Sequence, residues 1–340
     1  MSLKHLLKRG GLLAAANWPA VAILFAAQTM FQVLLAVPIV GAAVMVAVFL
    51  GADLGNLLRG STRDIFDTIT DALVAEPIAL AAFVTAFLIV MVAGSVLMFL
   101  VKGGTVDTML AADGAVGPIE RDPLTLAAFR GASCFSLARF VDGCARLFRR
   151  YLTLGLWLMA TYAISGLAYV AFVVYGYRLA GDRGLFVGWT LITALSAIAL
   201  VVWITMVNVI YLFMQIATAA EDVGAGPAVR HVARFVRAEY RELGGVFLVV
   251  FALVIAATVA SAIAWSGVGL IAFVPLVGLA VFPLQIVALL LRGLVFEYIG
   301  LTAMGAYATL YRRHVERTLA VTVEPPALPA AWDSAPAGHP

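Results

Sequence analysis

Trp18–Leu50 reads WPAVAILFAAQTMFQVLLAVPIVGAAVMVAVFL, a run without one charged residue. A helix rises ~1.5 Å per residue, so ~20 residues cross a ~30 Å hydrocarbon core and this run has length to spare. The segment before it is basic, with Lys4, Lys8 and Arg9, as at the start of a secretory signal. A signal core, however, is only ~7–15 residues long. The run is therefore expected to be a retained membrane span that tilts, kinks at Pro38 or extends beyond the bilayer.

Five further apolar stretches invite the same reading: Pro77–Val101, Leu152–Tyr177, Leu185–Ala219, Gly244–Trp265 and Leu270–Val295. In lipid every backbone N–H and C=O must be bonded within the segment, so continuous stretches become helices, whereas a β-barrel would show short alternating ones. Composition agrees. Hydrophobic residues make up 64% of the chain and charged residues 12%, against ~45–50% and ~25% in soluble domains. The fold class expected is an all-α integral membrane protein with six transmembrane helices, residues 1–319 forming one transmembrane domain. The tail, residues 320–340, carries Pro325, Pro326, Pro329, Pro336 and Pro340 among alanines. It cannot form a packed core and is expected to be disordered.

The net charge is only +3, and its distribution is more informative. Cations gather before the first stretch, between the second and third (Lys102, Arg121, Arg130, Arg139, Arg146, Arg149, Arg150), between the fourth and fifth (Arg230, Arg234, Arg237, Arg241) and after the sixth (Arg312, Arg313, Arg317). The alternate connections hold only Arg59, Arg63, Arg178 and Arg183. The positive-inside rule then places both termini of this multi-pass chain in the cytoplasm. The outer connection Asp53–Glu76, with Asp64, Asp67 and Asp71, reads as a short surface helix with a solvated acidic face, since no loop of oxygen ligands for calcium follows.

A weak internal repeat runs through this layout. Tyr151-Leu-Thr-Leu-Gly155 and Tyr240-Arg-Glu-Leu-Gly244 each open a span after a basic segment, and Gly114-Ala-Val-Gly-Pro118 and Gly224-Ala-Gly-Pro227 each follow one. The unit is basic amphipathic helix, span, outer turn, span. A degenerate copy begins at the N-terminus, which would make three helical hairpins. In the basic segments, Phe140, Val141, Cys144, Leu147 and Phe148, and likewise Val232, Phe235, Val236, Tyr240 and Leu243, recur at helical spacing. Two readings satisfy that pattern. The helices lie in the interface, with Arg139, Arg146, Arg149, Arg150, Arg230, Arg234, Arg237 and Arg241 among anionic headgroups, or they pack beneath the protein. Cations beside spans are explained by topology, so nucleic acid is not an expected partner.

Catalytic chemistry is not written in the sequence. No phosphate loop or Gly-x-Ser-x-Gly elbow occurs. The cysteines, Cys134 and Cys144, and the histidines, His5, His231, His314 and His339, make no metal-ligand spacing. No cofactor is expected. Polar residues within spans are the costly ones. Gln28 and Gln32 lie one turn apart on one face, and with Gln215 they read as interhelical contacts. Arg292 and Glu297 are charged, and with Lys102 and Asn208 they form a candidate polar ring or pathway. If Ser266–Gly269 is a tight outer turn, Arg292 and Glu297 reach the inner interface. If Pro283 instead begins the sixth helix, both lie within the slab.

The stretch Phe140–Gly155, in which an amphipathic helix with an arginine-aromatic end (Arg146-Leu-Phe-Arg-Arg-Tyr151) runs into an apolar span, resembles poorly characterised bacterial multispan proteins related to the membrane domain attached to some glycerophosphodiester phosphodiesterases. The resemblance covers about two hairpins. It implies a membrane module and not the phosphodiesterase activity, because no soluble segment here is long enough for the ~250 residues of a catalytic barrel. The expected function is thus a non-enzymatic membrane module that engages lipids, anionic ones at the cytoplasmic face, or a partner membrane protein. The alternative is a transporter or channel built from hairpins, and an intramembrane enzyme comes third.

Overall fold

A computed structural model describes residues 3–50, 77–117, 125–182, 185–272 and 277–323. It is all-helical, with six helices long and apolar enough to cross a membrane. In order these elements are α1 (Leu3–Ala16), α2 (Trp18–Leu50), α3 (Pro77–Ala115), α4 (Leu126–Ala132), α5 (Leu137–Asp182), α6 (Phe186–Glu221), α7 (Ala225–Ala272) and α8 (Val277–Val323). The tail beyond Val323 and the connection Asp53–Glu76 lie outside the described residues.

The spanning helices outrun the apolar stretches that predict them. The amphipathic basic segments are continuous with the spans of α5 and α7, apart from a non-helical residue at Glu239 (φ −118°, ψ 23°). At the other ends, α3, α6 and α8 continue past their apolar stretches. Only the first unit is broken. Pro19 cannot donate to the carbonyl four residues back, so α1 stops and α2 restarts with the proline in its first turn. Asn17 fills the corner. Its Nδ2 donates to the Leu13 carbonyl (2.9 Å) and the Ala132 carbonyl (2.8 Å), and its Oδ1 accepts from the Cys134 amide (3.1 Å).

Consecutive helices pair as three hairpins, α2/α3, α5/α6 and α7/α8, and each hairpin touches the next around a closed ring. The second helices α3, α6 and α8 also touch one another. Each hairpin is preceded by a basic amphipathic segment: α1, the start of α5 or the start of α7. The repeat is thus visible in helix order. The tyrosine motif is not equivalent, however: Tyr151 is buried with its hydroxyl on the Gln215 carbonyl (2.8 Å), while Tyr240 is exposed beside Arg241.

Burial divides the molecule into a base and three protruding hairpins. The core consists of α1, the first turns of α2, the early parts of α5 and α7, and the final parts of α3, α6 and α8. Phe213, Phe235, Tyr307 and Tyr311 meet edge to face across α6, α7 and α8, with centroids 5.0–5.8 Å apart. The apolar face of each basic segment is spent on this core: Phe140, Cys144 and Leu147 of α5, and Val232, Phe235 and Leu243 of α7, are buried. In α3 a methyl group at Gly104 would stand 2.6 Å from both Cys144 Sγ and the Phe140 carbonyl, so α5 crosses α3 at backbone contact.

Above the base little is covered. The most apolar stretch of α5 has 0% of its residues buried, and that of α7 has 6%. On α6, Thr193, Ala197, Leu200, Ile204 and Val207 form a narrow half-buried stripe, while Leu191, Leu195, Ile198, Val202, Trp203 and Met206 are exposed. Helical spacing turns the stripe toward α5. A water-facing surface of this kind would be an extreme apolar patch, whereas lipid accommodates it. The chain is an all-α, multi-pass membrane protein.

The described ends of α7 and α8 correct both geometries drawn from the sequence. Residues 266–269 are helical, and Pro283 lies inside α8, six residues beyond Val277. At ~1.5 Å per residue, Arg292 is about 22 Å and Glu297 about 30 Å along α8 from Val277. Measured from Val277, the distance to Glu297 thus matches the ~30 Å thickness of a hydrocarbon slab, and Glu297 lies one turn before Leu301, where the buried core of α8 begins.

Candidate functional site: a polar floor and the cleft between α2 and α8

Two polar assemblies sit at different heights. The lower one is inside the base and is centred on an enclosed ion pair. Arg9 of α1 is 0% exposed, and its Nε lies 2.6 Å from Oδ1 of Asp113 on α3. Its Nη2 donates to the carbonyls of Asp113 (2.8 Å) and Gly117 (3.0 Å). Arg312 of α8 brings Nη1 to 3.0 Å from the other Asp113 oxygen, and the Thr309 hydroxyl donates to Oδ1 at 2.8 Å. Gly117 adopts φ +84°, which glycine takes without a steric penalty. This turns its carbonyl, at the negative end of α3, toward both guanidiniums. One carboxylate thus joins α1, α3 and α8.

Around this hub the base is laced by further ion pairs. Arg146 pairs with Asp107 and Asp222, and Arg150 with Asp222. Asp222 caps α6 in the left-handed conformation (φ 54°), which aspartate tolerates better than most residues. The Arg150 guanidinium beside it holds its carboxyl below the usual carboxylate range. Arg313 reaches Glu242 (3.0 Å) and Arg317 reaches Glu239 (2.9 Å), tying the end of α8 to the bend in α7. His231 and Tyr311 both bond Glu221 and, with His314, line one small cavity of about 150 Å³. Among the described residues no group of three His, Cys, Asp or Glu could hold a metal ion. Arg139, Arg149, Arg230, Arg234, Arg237 and Arg241 are exposed on the outside of the base.

The upper assembly contains most of the residues singled out from the sequence. Lys102 of α3 and Glu297 of α8 face one another electrostatically where the three second helices meet. The α6 member of this floor is Tyr211, whose ring centroid lies 5.7 Å from the Lys102 nitrogen. Asn208, one turn away, instead accepts from the Tyr162 hydroxyl. That bond continues a ladder up the second hairpin, with Trp203 Nε1 on Ser165 Oγ (2.9 Å) and Tyr169 on the Thr193 carbonyl (3.3 Å). Such bonds between membrane helices average ~0.6 kcal/mol. Tyr162→Phe should therefore cost less than ~1 kcal/mol and shift the thermal midpoint in detergent only slightly. A collapse of that midpoint would show that the ladder is cooperative.

Gln28 and Gln32 line an open cleft of about 390 Å³ between α2 and α8, together with Arg292 and Glu297. Phe25, Thr29, Leu289, Leu290, Gly293 and Phe296 complete it. Arg292 lies over the Phe296 ring, one turn on, at 5.7 Å. A Cβ at Gly293 would meet Phe25 at 2.5 Å, so α2 and α8 are in close contact at this level. Gln32, Leu289, Leu290 and Arg292 are exposed, so the cleft opens on the surface of the bundle. Gln215 is elsewhere, buried in the base.

Comparison of the chain with protein-family models, with curated proteins and with solved structures returns no match. Fold and site define a class, the multi-pass helical membrane proteins, and no family within it.

Proposed function

We propose that the chain is a non-enzymatic module of a bacterial inner membrane that engages lipids, with its base and both termini in the cytoplasm. The observation that carries this reading is the contrast between a close-packed base and hairpins that expose apolar side chains around most of their circumference. Gaps between such hairpins must be filled, and phospholipid chains fill them at no cost in polar contacts. The orientation rests on the cations, which gather at the base while the hairpin tips carry few.

Lipid retention tests the proposal. The protein is released from bilayer nanodiscs into mild detergent, and bound phospholipid is measured by native mass spectrometry. Retained phospholipid together with loss of stability on delipidation is the expected result. A lipid-free chain of unchanged stability would refute the reading. Reporter fusions after Gly181 and after Ala225 should report opposite sides of the membrane, and identical signals would overturn the orientation.

A transporter is the second reading. The charged cleft favours it, because Arg292 and Glu297 within reach of the slab are what a pathway for a polar solute requires. A water-filled route joining the cleft to the far side would decide for transport.

A further inference from the structure

The geometry points to the cleft between α2 and α8 as a binding site for one glycerophospholipid, its phosphodiester on Arg292 and the Gln28 and Gln32 amides. This deepens the lipid-engaging reading and rests on it.

The argument starts from charge. Two charged residue types line the cleft, Arg292 and Glu297, and Lys102 of α3 interacts electrostatically with Glu297. Lys102 is an electrostatic counter-charge for Glu297. Arg292 is turned ~140° from Glu297 around α8 by helical spacing, at the exposed side of the cleft, and its cation matches the single negative charge of a phosphodiester. A guanidinium also presents planar N–H donors that match phosphate oxygens in pairs. The Phe296 ring beneath Arg292 supports its face and leaves those edges available.

Position is the second support. Arg292 is five residues, about 7.5 Å, above Glu297 along α8, and Glu297 lies one turn above the buried base that begins at Leu301. An arginine at that depth reaches the interface by extending its side chain, or it draws a headgroup to itself. Gln28 and Gln32, one turn apart on α2, face it across the cleft, and each amide both donates and accepts. They can bond the glycerol esters as well as the phosphate. The cleft volume, about 390 Å³, falls within the ~300–1,000 Å³ typical of small-ligand sites. It takes a headgroup and glycerol, with the acyl chains left to the exposed apolar flanks, including Met30, Leu291 and Leu294.

The experiment uses the full chain in nanodiscs of phosphatidylglycerol and phosphatidylethanolamine, extracted into mild detergent and read by native mass spectrometry. The parent should hold about one phospholipid through detergent exchange. Arg292→Gln should lower its occupancy about tenfold, and Gln32→Leu, at an exposed position, severalfold. Arg130→Gln, at an exposed position of α4 in the base, should leave occupancy unchanged. Diacylglycerol, which lacks the phosphate, should not bind, and millimolar inorganic phosphate should not displace the lipid. Displacement by phosphate would overturn the proposal in favour of a site for the free anion. Equal retention by parent, Arg292→Gln and Gln32→Leu would remove this site while leaving lipid engagement intact. A parent that retains no lipid would remove both.

Discussion

Replacing Asp113 by alanine should destabilise the protein by about 3–5 kcal/mol, the range for removing one partner of a buried ion pair. Asp113 and Arg9 are both enclosed, and the carboxylate is the counter-charge for Arg9 and Arg312 together. Without it, two guanidiniums compete for the Gly117 carbonyl, and Arg9 has no route to water. Arg312 is partly exposed and pairs with Glu316 at 3.4 Å, so Arg312→Ala should cost distinctly less. The double variant Arg9→Met, Asp113→Ala should recover part of the loss, because an apolar replacement of the whole pair leaves no stranded charge. Thermal unfolding in one detergent checks the parent, these three variants and Arg9→Met alone. An Asp113→Ala midpoint equal to the parent's, or single effects that simply add, would show that the hub does not hold the base together.

The hub also marks the boundary of what the sequence shows. Runs such as Trp18–Leu50 are legible because lipid leaves the backbone no alternative to helix, and each of the six has its helix. The three-hairpin order was legible too, because the basic segments announce each unit. Helix ends were less so. Apolarity stops at the bilayer edge, but helicity does not: α3, α6 and α8 run on into the base, and α7 continues through residues 266–269, where a turn was one expectation. Arg9 registered only as one of three cations that orient the first span. Its pairing with Asp113, 104 residues away, is made in space and leaves no spacing to read. A lone aspartate in the apolar run Met109-Leu-Ala-Ala-Asp113 was the one available signal. For the cleft, the residue types were visible and their grouping was partly so. Gln28 and Gln32 announce a polar face on α2, and Arg292 and Glu297 mark α8 as charged, but the meeting of the two helices depends on how the first and last hairpins close the ring. Asn208 was placed with Lys102 by its height along the helix. Height along a helix does not fix rotation about its axis, and it is Tyr211 that turns to Lys102.

Gly10→Ala should be as damaging as the loss of a large core side chain, although it adds a single methyl group. α1 crosses α8 at Gly10 and Gly305, where the Gly10 Cα is 3.1 Å from the position of a Gly305 Cβ. A Cβ on Gly10 would stand 2.2 Å from the Thr302 carbonyl oxygen and 2.8 Å from the Ala306 nitrogen. Both are backbone atoms, so no change of rotamer makes room and α1 must lift from α8. Overpacking of this kind costs ~1–3 kcal/mol, and here the displaced helix carries Arg9 at the adjacent position, so the Asp113 pair is strained in the same step. The cost should therefore reach the upper end of that range or pass it. Neighbouring glycines supply controls. A methyl group at Gly11 meets Tyr298 Oη at an ordinary 3.6 Å, and one at Gly300 meets nothing within 4 Å. There alanine should be neutral or stabilising, since it favours a helix over glycine by up to ~1 kcal/mol. Limited trypsin digestion gives a second readout. Arg9 is enclosed in the parent and should resist cleavage, and Gly10→Ala should open that bond to the protease while Gly300→Ala does not. If Gly10→Ala keeps the parent's thermal midpoint and the bond after Arg9 stays protected, α1 is not docked on α8 as described. The hub that depends on that docking would then lose its support as well.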